Sequence, residues 1–327
     1  MIAVLGAGSV GCWVGGTLAH GGANVTLIGR PTMRSDLANG FVVSDLDGSD
    51  FNIPPNRFRF STDPSPLSEA DLVLLTVKGP DTRAAAEVIA RLAPANAKVV
   101  SLQNGIGPAE LLQDTLGEER VVPAAVVFNV VRPTPTHFLR ATDGNLILPE
   151  ESGLDARLID LPLEISSHIE HTRWGKLMLN LNNALNVLSG VPLRDHLLDR
   201  EWRKVFAMCI AEGRSVARAK GITPARIGKV HPTMAQFVLP LPNGLFTRLA
   251  SAMMKIDPNA RTSMVDDLEQ GRQPELDTLN GAIVREGRRC NVPTPVNEAV
   301  VEAVRAAFAS SASPKLTGSA FRERYRV

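Results

Sequence analysis

Residues 2–5, Ile-Ala-Val-Leu, break directly into Gly6-Ala7-Gly8-Ser9-Val10-Gly11, and the stretch from Trp13 to His20 supports a helix. A second, β-branched run from Asn24 to Ile28 follows the break at Gly21-Gly22, so the chain opens with one β-α-β unit. Glycine-rich turns are common, and this string alone says little. Placed between a strand and a helix, its glycines allow a tight turn, close approach of a pyrophosphate and close helix packing. The helix N-terminus then offers unpaired N–H groups and the positive end of its dipole to the phosphates. The segment therefore reads as a dinucleotide-binding turn in which Gly6, Gly8, Ser9, Val10 and Gly11 touch the cofactor. A purely structural glycine turn is the alternative.

The pattern continues as it began. Asp47-Gly48 lies between Phe41-Val42-Val43 and Phe51-Asn52-Ile53, the strongest short-range signal for a hairpin. Asp71 to Val77 and Lys98 to Leu102 are buried-strand runs separated by the helical pattern Thr82 to Leu92. Alternating strand and helix predicts an α/β fold, a Rossmann-type doubly wound parallel sheet with both faces covered. From Glu119 to Pro149 the apolar pieces Val121 to Val131 and Asn145 to Leu148 are expected to close that sheet. After residue 168 long helical patterns dominate, at 170–188, 200–220, 243–254, 262–270, 275–289 and 295–309. A chain of 327 residues suits two domains: a dinucleotide-binding domain over 1–168 and an all-helical substrate domain over 169–327. The tail from Ser310 is small, polar and basic, and is expected to wrap the surface or fray.

Lys and Arg (35) balance Asp and Glu (34) and are scattered, so no nucleic-acid surface is expected. Cys12, Cys209 and Cys290 lie far apart, without the spacing of a disulfide framework or a metal site. Reduced thiols in a cytoplasm are the simplest reading. No apolar run reaches the roughly 18 residues that a membrane-spanning helix needs. The first residues read as strand and turn, not as a targeting segment.

The end of the second strand bears on which cofactor binds. NAD sites usually place an acid there for the ribose 2′-OH. This chain has Gly29-Arg30. A guanidinium in place of a carboxylate suits a 2′-phosphate, with Arg34 as a second contact, and points to NADP(H). Otherwise Arg30 merely caps a loop.

A nicotinamide cofactor carries hydride, so the protein must supply a proton to the oxygen that gains charge. In Arg173-Trp174-Gly175-Lys176-Leu177-Met178-Leu179-Asn180-Leu181-Asn182-Asn183, Asn180 and Asn183 fall within about 40° of Lys176 around a helix. This polar stripe fits either a polar substrate in a domain cleft or a network between helices. Lys78 and Asn104 follow strands at the carboxyl edge of the sheet, where open α/β sheets bind ligands. A strand-end lysine is also an ordinary solvated residue. Ser263 can begin a helix, and Pro274 can start another with Glu275 in its first turn, so capping and the helix dipole explain both without function.

Together these segments resemble the ketopantoate reductase family. The likeness rests on the glycine turn, Arg30, Thr76-Val77-Lys78, Gln103-Asn104-Gly105-Ile106-Gly107, Trp174-Gly175-Lys176 with Asn180, Ser263-Met264, and Pro274-Glu275-Leu276-Asp277 with Asn280-Gly281. The resemblance implies NADPH-dependent reduction of 2-dehydropantoate to pantoate. It makes Lys176 the general acid and has Glu275 orient substrate and lysine. Asn180 and Ser263 then bind substrate, and Lys78 and Asn104 lie by the cofactor and the reacting carbonyl. Position 184 is Ala where the family has a second asparagine, which leaves Asn183 or Asn182 for that role, and 229–260 is longer than in compact members. A dehydrogenase of another small keto or hydroxy acid and a non-catalytic NADP(H) sensor stay open. The apolar segment Phe237 to Met254 is expected to be a subunit interface, hence a homodimer, rather than a lid.

Overall fold

The computed structural model describes residues 1–158, 160–250 and 260–327. It divides into two compact units, Met1–Ile169 and Glu170–Val327.

In the first unit strand and helix alternate: β1 (Ile2–Leu5), α1 (Ser9–His20), β2 (Val25–Ile28), α2 (Pro31–Asp36), then the hairpin of β3 (Phe41–Ser44) and β4 (Asp50–Ile53). β5 (Phe58–Ser61), β6 (Leu72–Leu75), α3 (Thr82–Leu92), β7 (Lys98–Ser101), α4 (Pro108–Leu116) and β8 (Val121–Pro123) follow. A six-stranded sheet in the order β5-β2-β1-β6-β7-β8 results, parallel at every pairing. The chain order reverses between β1 and β6. Such a switch point is where the loops leaving two neighbouring strands part and open a crevice.

Alternation along each strand divides the core between the two faces. Val4, Leu27, Leu74 and Val100 pack on one side with Trp13 and Leu18 of α1 and with Phe41 and Val43 of β3. Ala3, Ile28, Val73 and Val99 pack on the other with Ala86 and Ile89 of α3 and Leu112 of α4. One face is thus covered by helices alone and the other by α1 together with a second sheet layer. Each fully buried Leu or Ile here contributes on the order of 1.5–3 kcal/mol.

The later strands correct one expectation. Of the apolar pieces beyond Glu119, only β8 joins the parallel sheet. β9 (Ala125–Val126), β12 (Leu146–Pro149) and β13 (Leu163–Ser166) form a three-stranded sheet, while β10 (Val130–Thr134) and β11 (His137–Arg140) join β3 and β4 in a four-stranded one. Proline lacks an N–H for the ladder. Pro123 and Pro133 accordingly lie on β8 and β10, both at sheet edges.

The second unit is helical among its described residues. It contains α5 (Ile169–Asn180), α6 (Asn182–Ser189), α7 (Leu193–Leu198), α8 (Arg200–Ala219), α9 (Pro232–Val238) and α10 (Asn243–Leu249). α11 (Ser263–Glu269), α12 (Asn280–Arg289), α13 (Pro295–Ala309) and α14 (Gly318–Tyr325) complete it. The single helix predicted over 170–188 is two, divided at Leu181. The helix predicted to 254 and the apolar segment ending at Met254 run partly into 251–259, outside the described residues. The C-terminal tail does not fray: Phe321 of α14 is fully buried, 5.5 Å from the Trp202 ring.

Candidate active site

The glycine turn is held at the switch point by the strands on either side. Ala7 N–H donates to Ile28 O, at the end of β2, at 3.0 Å. Thr76, just past β6, donates its hydroxyl to Gly6 O at 2.7 Å. Gly11 is there because nothing larger fits: a Cβ at that position would stand 2.3 Å from Gly6 O and 2.6 Å from Thr76 Oγ1. No side chain caps the start of α1, and its first turn carries no acidic residue. The turn therefore presents helix amides and a positive dipole end without a competing carboxylate, which fits a pyrophosphate. Cys12 follows immediately, but burial pushes its thiol up to about 12, so it supplies no thiolate at neutral pH.

Arg30 lies beyond the end of β2 as the residue preceding α2, exposed, its side chain unused in capping that helix. Arg34 is exposed one turn further along. Two guanidinium groups at this edge, with no acid at 29 or 30, fit a 2′-phosphate better than a free ribose hydroxyl.

Lys78 and Asn104 leave the ends of neighbouring parallel strands, both half-buried. Between them Gln103 is a residue whose role the sequence did not reveal. Buried, it donates to Val77 O at 3.0 Å and to Thr82 Oγ1 at 2.7 Å. One amide thus laces the loop carrying Lys78 to the loop carrying Asn104. A polar residue directly after the buried-strand run Lys98 to Leu102 is the signal that could have found it.

In the helical unit Lys176 occupies the third turn of α5, half-buried. Gly175 before it permits close contact with the segment that follows α8: a Cβ there would meet Ala225 O at 2.2 Å, and Ala225 N–H donates to His171 O at 2.7 Å. Burial pushes the Lys176 ammonium down to about 8, and the negative charge of Glu275 opposes that shift. The fold thus brings Lys176 and Glu275 into electrostatic contact. Glu275 is not in the first turn of an α-helix, as Pro274 suggested. It precedes a single 3₁₀ turn, Leu276–Thr278, which leads into α12.

Asn180 ends α5 and Asn183 lies in the first turn of α6, both half-buried. Ser263 is the first residue of α11 and is exposed, with Thr262 before it as the cap residue. Thr262 Oγ1 donates to Asn183 O at 3.3 Å, so Asn183 and the start of α11 are brought together. Asn182 is committed elsewhere: buried, its Oδ1 lies 3.1 Å from Nε2 of the buried His196. Ala184 is fully buried.

A cavity of about 330 Å³ in the first unit, lined by Trp13, Thr17, Ser44, Asp45, Phe51 and Asp160 among others, contains none of these candidates. Among the described residues no group of three or more His, Cys, Asp or Glu is placed to hold a metal ion. Nor is any described helix long and apolar enough to cross a membrane.

The family described as ketopantoate reductase PanE/ApbA matches residues 2–153, and its C-terminal part matches residues 168–308. The 2-dehydropantoate 2-reductase of Halobacterium salinarum is 28% identical over 322 residues, covering 94% of this chain and 98% of that protein. Its counterpart in Caulobacter vibrioides is 29% identical over 316 residues, covering 94% and 98%. The crystal structure of a PanE/ApbA family ketopantoate reductase from Ralstonia eutropha JMP134, 30% identical, aligns with a TM-score of 0.80 over 95% of this chain and 99% of that one.

Proposed function

The chain belongs to the ketopantoate reductase PanE/ApbA family, and we propose that it reduces 2-dehydropantoate to pantoate with NADPH, using Lys176 as the proton donor. The observation that carries the assignment of Lys176 is a lysine pushed down to about 8 by burial and faced by a carboxylate. Such an ammonium is protonated at neutral pH yet gives up its proton more readily than an exposed lysine.

When bound, NADPH supplies the hydride. The turn from Gly6 to Gly11, with Ser9 and Val10 opening α1, holds the pyrophosphate, and Arg30 holds the 2′-phosphate. Lys78 and Asn104 line the cofactor's place at the sheet edge. Asn180, Asn183 and Ser263 bind the polar groups of the keto acid. As the carbonyl carbon gains hydride, Lys176 gives a proton to the carbonyl oxygen and stabilises the charge that builds there. Solvent then returns the proton to the amine. Glu275 keeps the lysine charged before the step.

The relatives named 2-dehydropantoate 2-reductase support the substrate. A second substrate has one observation in its favour. Ala184 stands in place of an amide and Asn182 is tied to His196, so fewer groups remain to bind a substrate hydroxyl, and a 2-keto acid lacking that hydroxyl is the alternative. NADPH oxidation measured with 2-dehydropantoate beside simpler 2-keto acids decides between them. Turnover of Lys176→Ala within tenfold of the parent would remove the proton-donor role, since losing a general acid costs roughly a hundredfold or more. The three free cysteines suit the reducing cytoplasm. Exposed Met234 and Phe237 on α9, with Leu245 and Leu249 on α10, support pairing into a homodimer.

A further inference from the structure

We propose that Thr262 and Asn186 are positioning residues that fix Ser263 for the keto acid; this rests on the reading of Ser263 as a substrate-binding residue. Asn186 is fully buried in α6 and Thr262 is nearly so. Both ends of the Asn186 amide are used. Its Nδ2 donates to Val191 O at 2.8 Å, which ties it to the loop leaving α6. Its Oδ1 accepts the Thr262 N–H at 3.3 Å. Alongside, Leu193 N–H donates to Ala260 O at 2.9 Å, so the segment before α11 is held at two points along its backbone.

The hydroxyl of Thr262 carries the argument. A threonine at a helix N-cap ordinarily accepts an N–H from its own first turn. Thr262 makes no side-chain cap to α11. Its Oγ1 donates instead across to Asn183 O, 79 residues away in sequence. The helix start is thereby pinned to α6 rather than to itself, and Ser263, the next residue, takes its place from that pin. Asn183, the other end of the same bond, is itself a candidate for the substrate. One hydroxyl therefore sets the spacing between two groups that must grip one small molecule. Misplacing either by a fraction of an ångström weakens substrate binding without touching the cofactor's residues.

The test is steady-state kinetics of Thr262→Val, Thr262→Ser, Ser263→Ala and the double variant Ser263→Ala/Thr262→Val, with thermal melting of each. Thr262→Val is expected to raise KM for 2-dehydropantoate roughly tenfold while KM for NADPH stays within about twofold, and Thr262→Ser to restore the parent value. In the Ser263→Ala background Thr262→Val should add less than about twofold. A drop in kcat alone, or the same fold increase in both backgrounds, would overturn the proposal while the Ser263 reading stood. A Ser263→Ala variant with unchanged KM would sink that reading, and the proposal with it. If Thr262→Val does not fold, Thr262→Ala removes the same hydroxyl without adding a methyl, and the same outcomes apply.

Discussion

The carboxylate of Glu275 opposes the effect of burial on Lys176: burial pushes the ammonium down to about 8, and the neighbouring charge pulls it back up. A group whose pKa is lowered by burial loses its proton earlier as pH rises. Reductive turnover should therefore fall above pH about 8 as Lys176 becomes neutral and has no proton to give. Glu275→Gln removes the opposing charge and should shift this alkaline limb to lower pH. The pH profile of kcat for parent and variant checks this, and a limb that does not move would separate the carboxylate from the lysine's titration.

Arg30 makes a prediction about the cofactor's phosphate. Its exposed side chain is unused in capping α2, so removing it should leave folding intact. A charge-assisted bond to a phosphate contributes on the order of 1.5–3 kcal/mol. Arg30→Ala should therefore raise KM for NADPH roughly ten- to a hundredfold and leave KM for NADH nearly unchanged. Equal effects on the two cofactors would mean that Arg30 does not read the 2′-phosphate.

The centre of the parallel sheet was legible because its features are local, whereas its edge strand β5 was not read. The apolar runs at β1, β2, β6 and β7 fall at breaks in the chain, and Asp47-Gly48 marks the β3–β4 hairpin by turn chemistry alone, with Gly48 at φ +84°. The run from Val121 to Val131 was misread because an apolar run shows that a strand is buried, not which strand it pairs with. It divides among three sheets, and only the prolines at the edges hint at that. The tail hid its helix because one buried ring, Phe321, anchors an otherwise polar segment. In the site, residue types at strand ends can be read from spacing, and the couplings cannot. Gln103 joining two loops and Thr262 reaching Asn183 depend on distances that only the folded chain sets.

His196 gives the second unit an acid-sensitive point. Its Nε2 lies 3.1 Å from Asn182 Oδ1 and its Nδ1 3.0 Å from Ser189 Oγ. Burial pushes the ring down to about 3 from 6.5. The unfolded chain therefore binds a proton below pH 6.5 that the folded chain refuses. The stabilising preference is present in full above 6.5 and is lost progressively as pH falls toward 3, by about 1.4 kcal/mol per pH unit. Between pH 6.5 and 4.5 the parent should lose on the order of 2 kcal/mol more than His196→Gln. Urea denaturation of both proteins at the two pH values measures that difference, and parallel losses would assign the acid sensitivity to other groups.

Arg203 organises the α9–α10 region chiefly through neutral oxygens, with the Asp199 carboxylate as its favourable neighbouring charge. Almost fully buried, it donates to Leu239 O at 2.7 Å, to Leu197 O and Leu198 O at 2.9 and 3.1 Å, and to Leu241 O and Asn243 Oδ1 at 2.7 and 2.9 Å. Its guanidinium also lies 4.0 Å from the centre of the Phe246 ring. These acceptors come from the end of α7, the turn after α9 and the start of α10, so one planar fork closes off three chain segments. Arg203→Met keeps the bulk but leaves several carbonyls without donors, and should destabilise the protein by about 3 kcal/mol. Arg203→Lys has one ammonium where five donor bonds diverge, and should recover only a minor part. Because the lost bonds belong to one region, hydrogen exchange should quicken at residues 232–249 and remain unchanged in the sheet of the first unit. Exchange that quickens uniformly across both units would show that Arg203 supports the fold as a whole rather than this pair of helices.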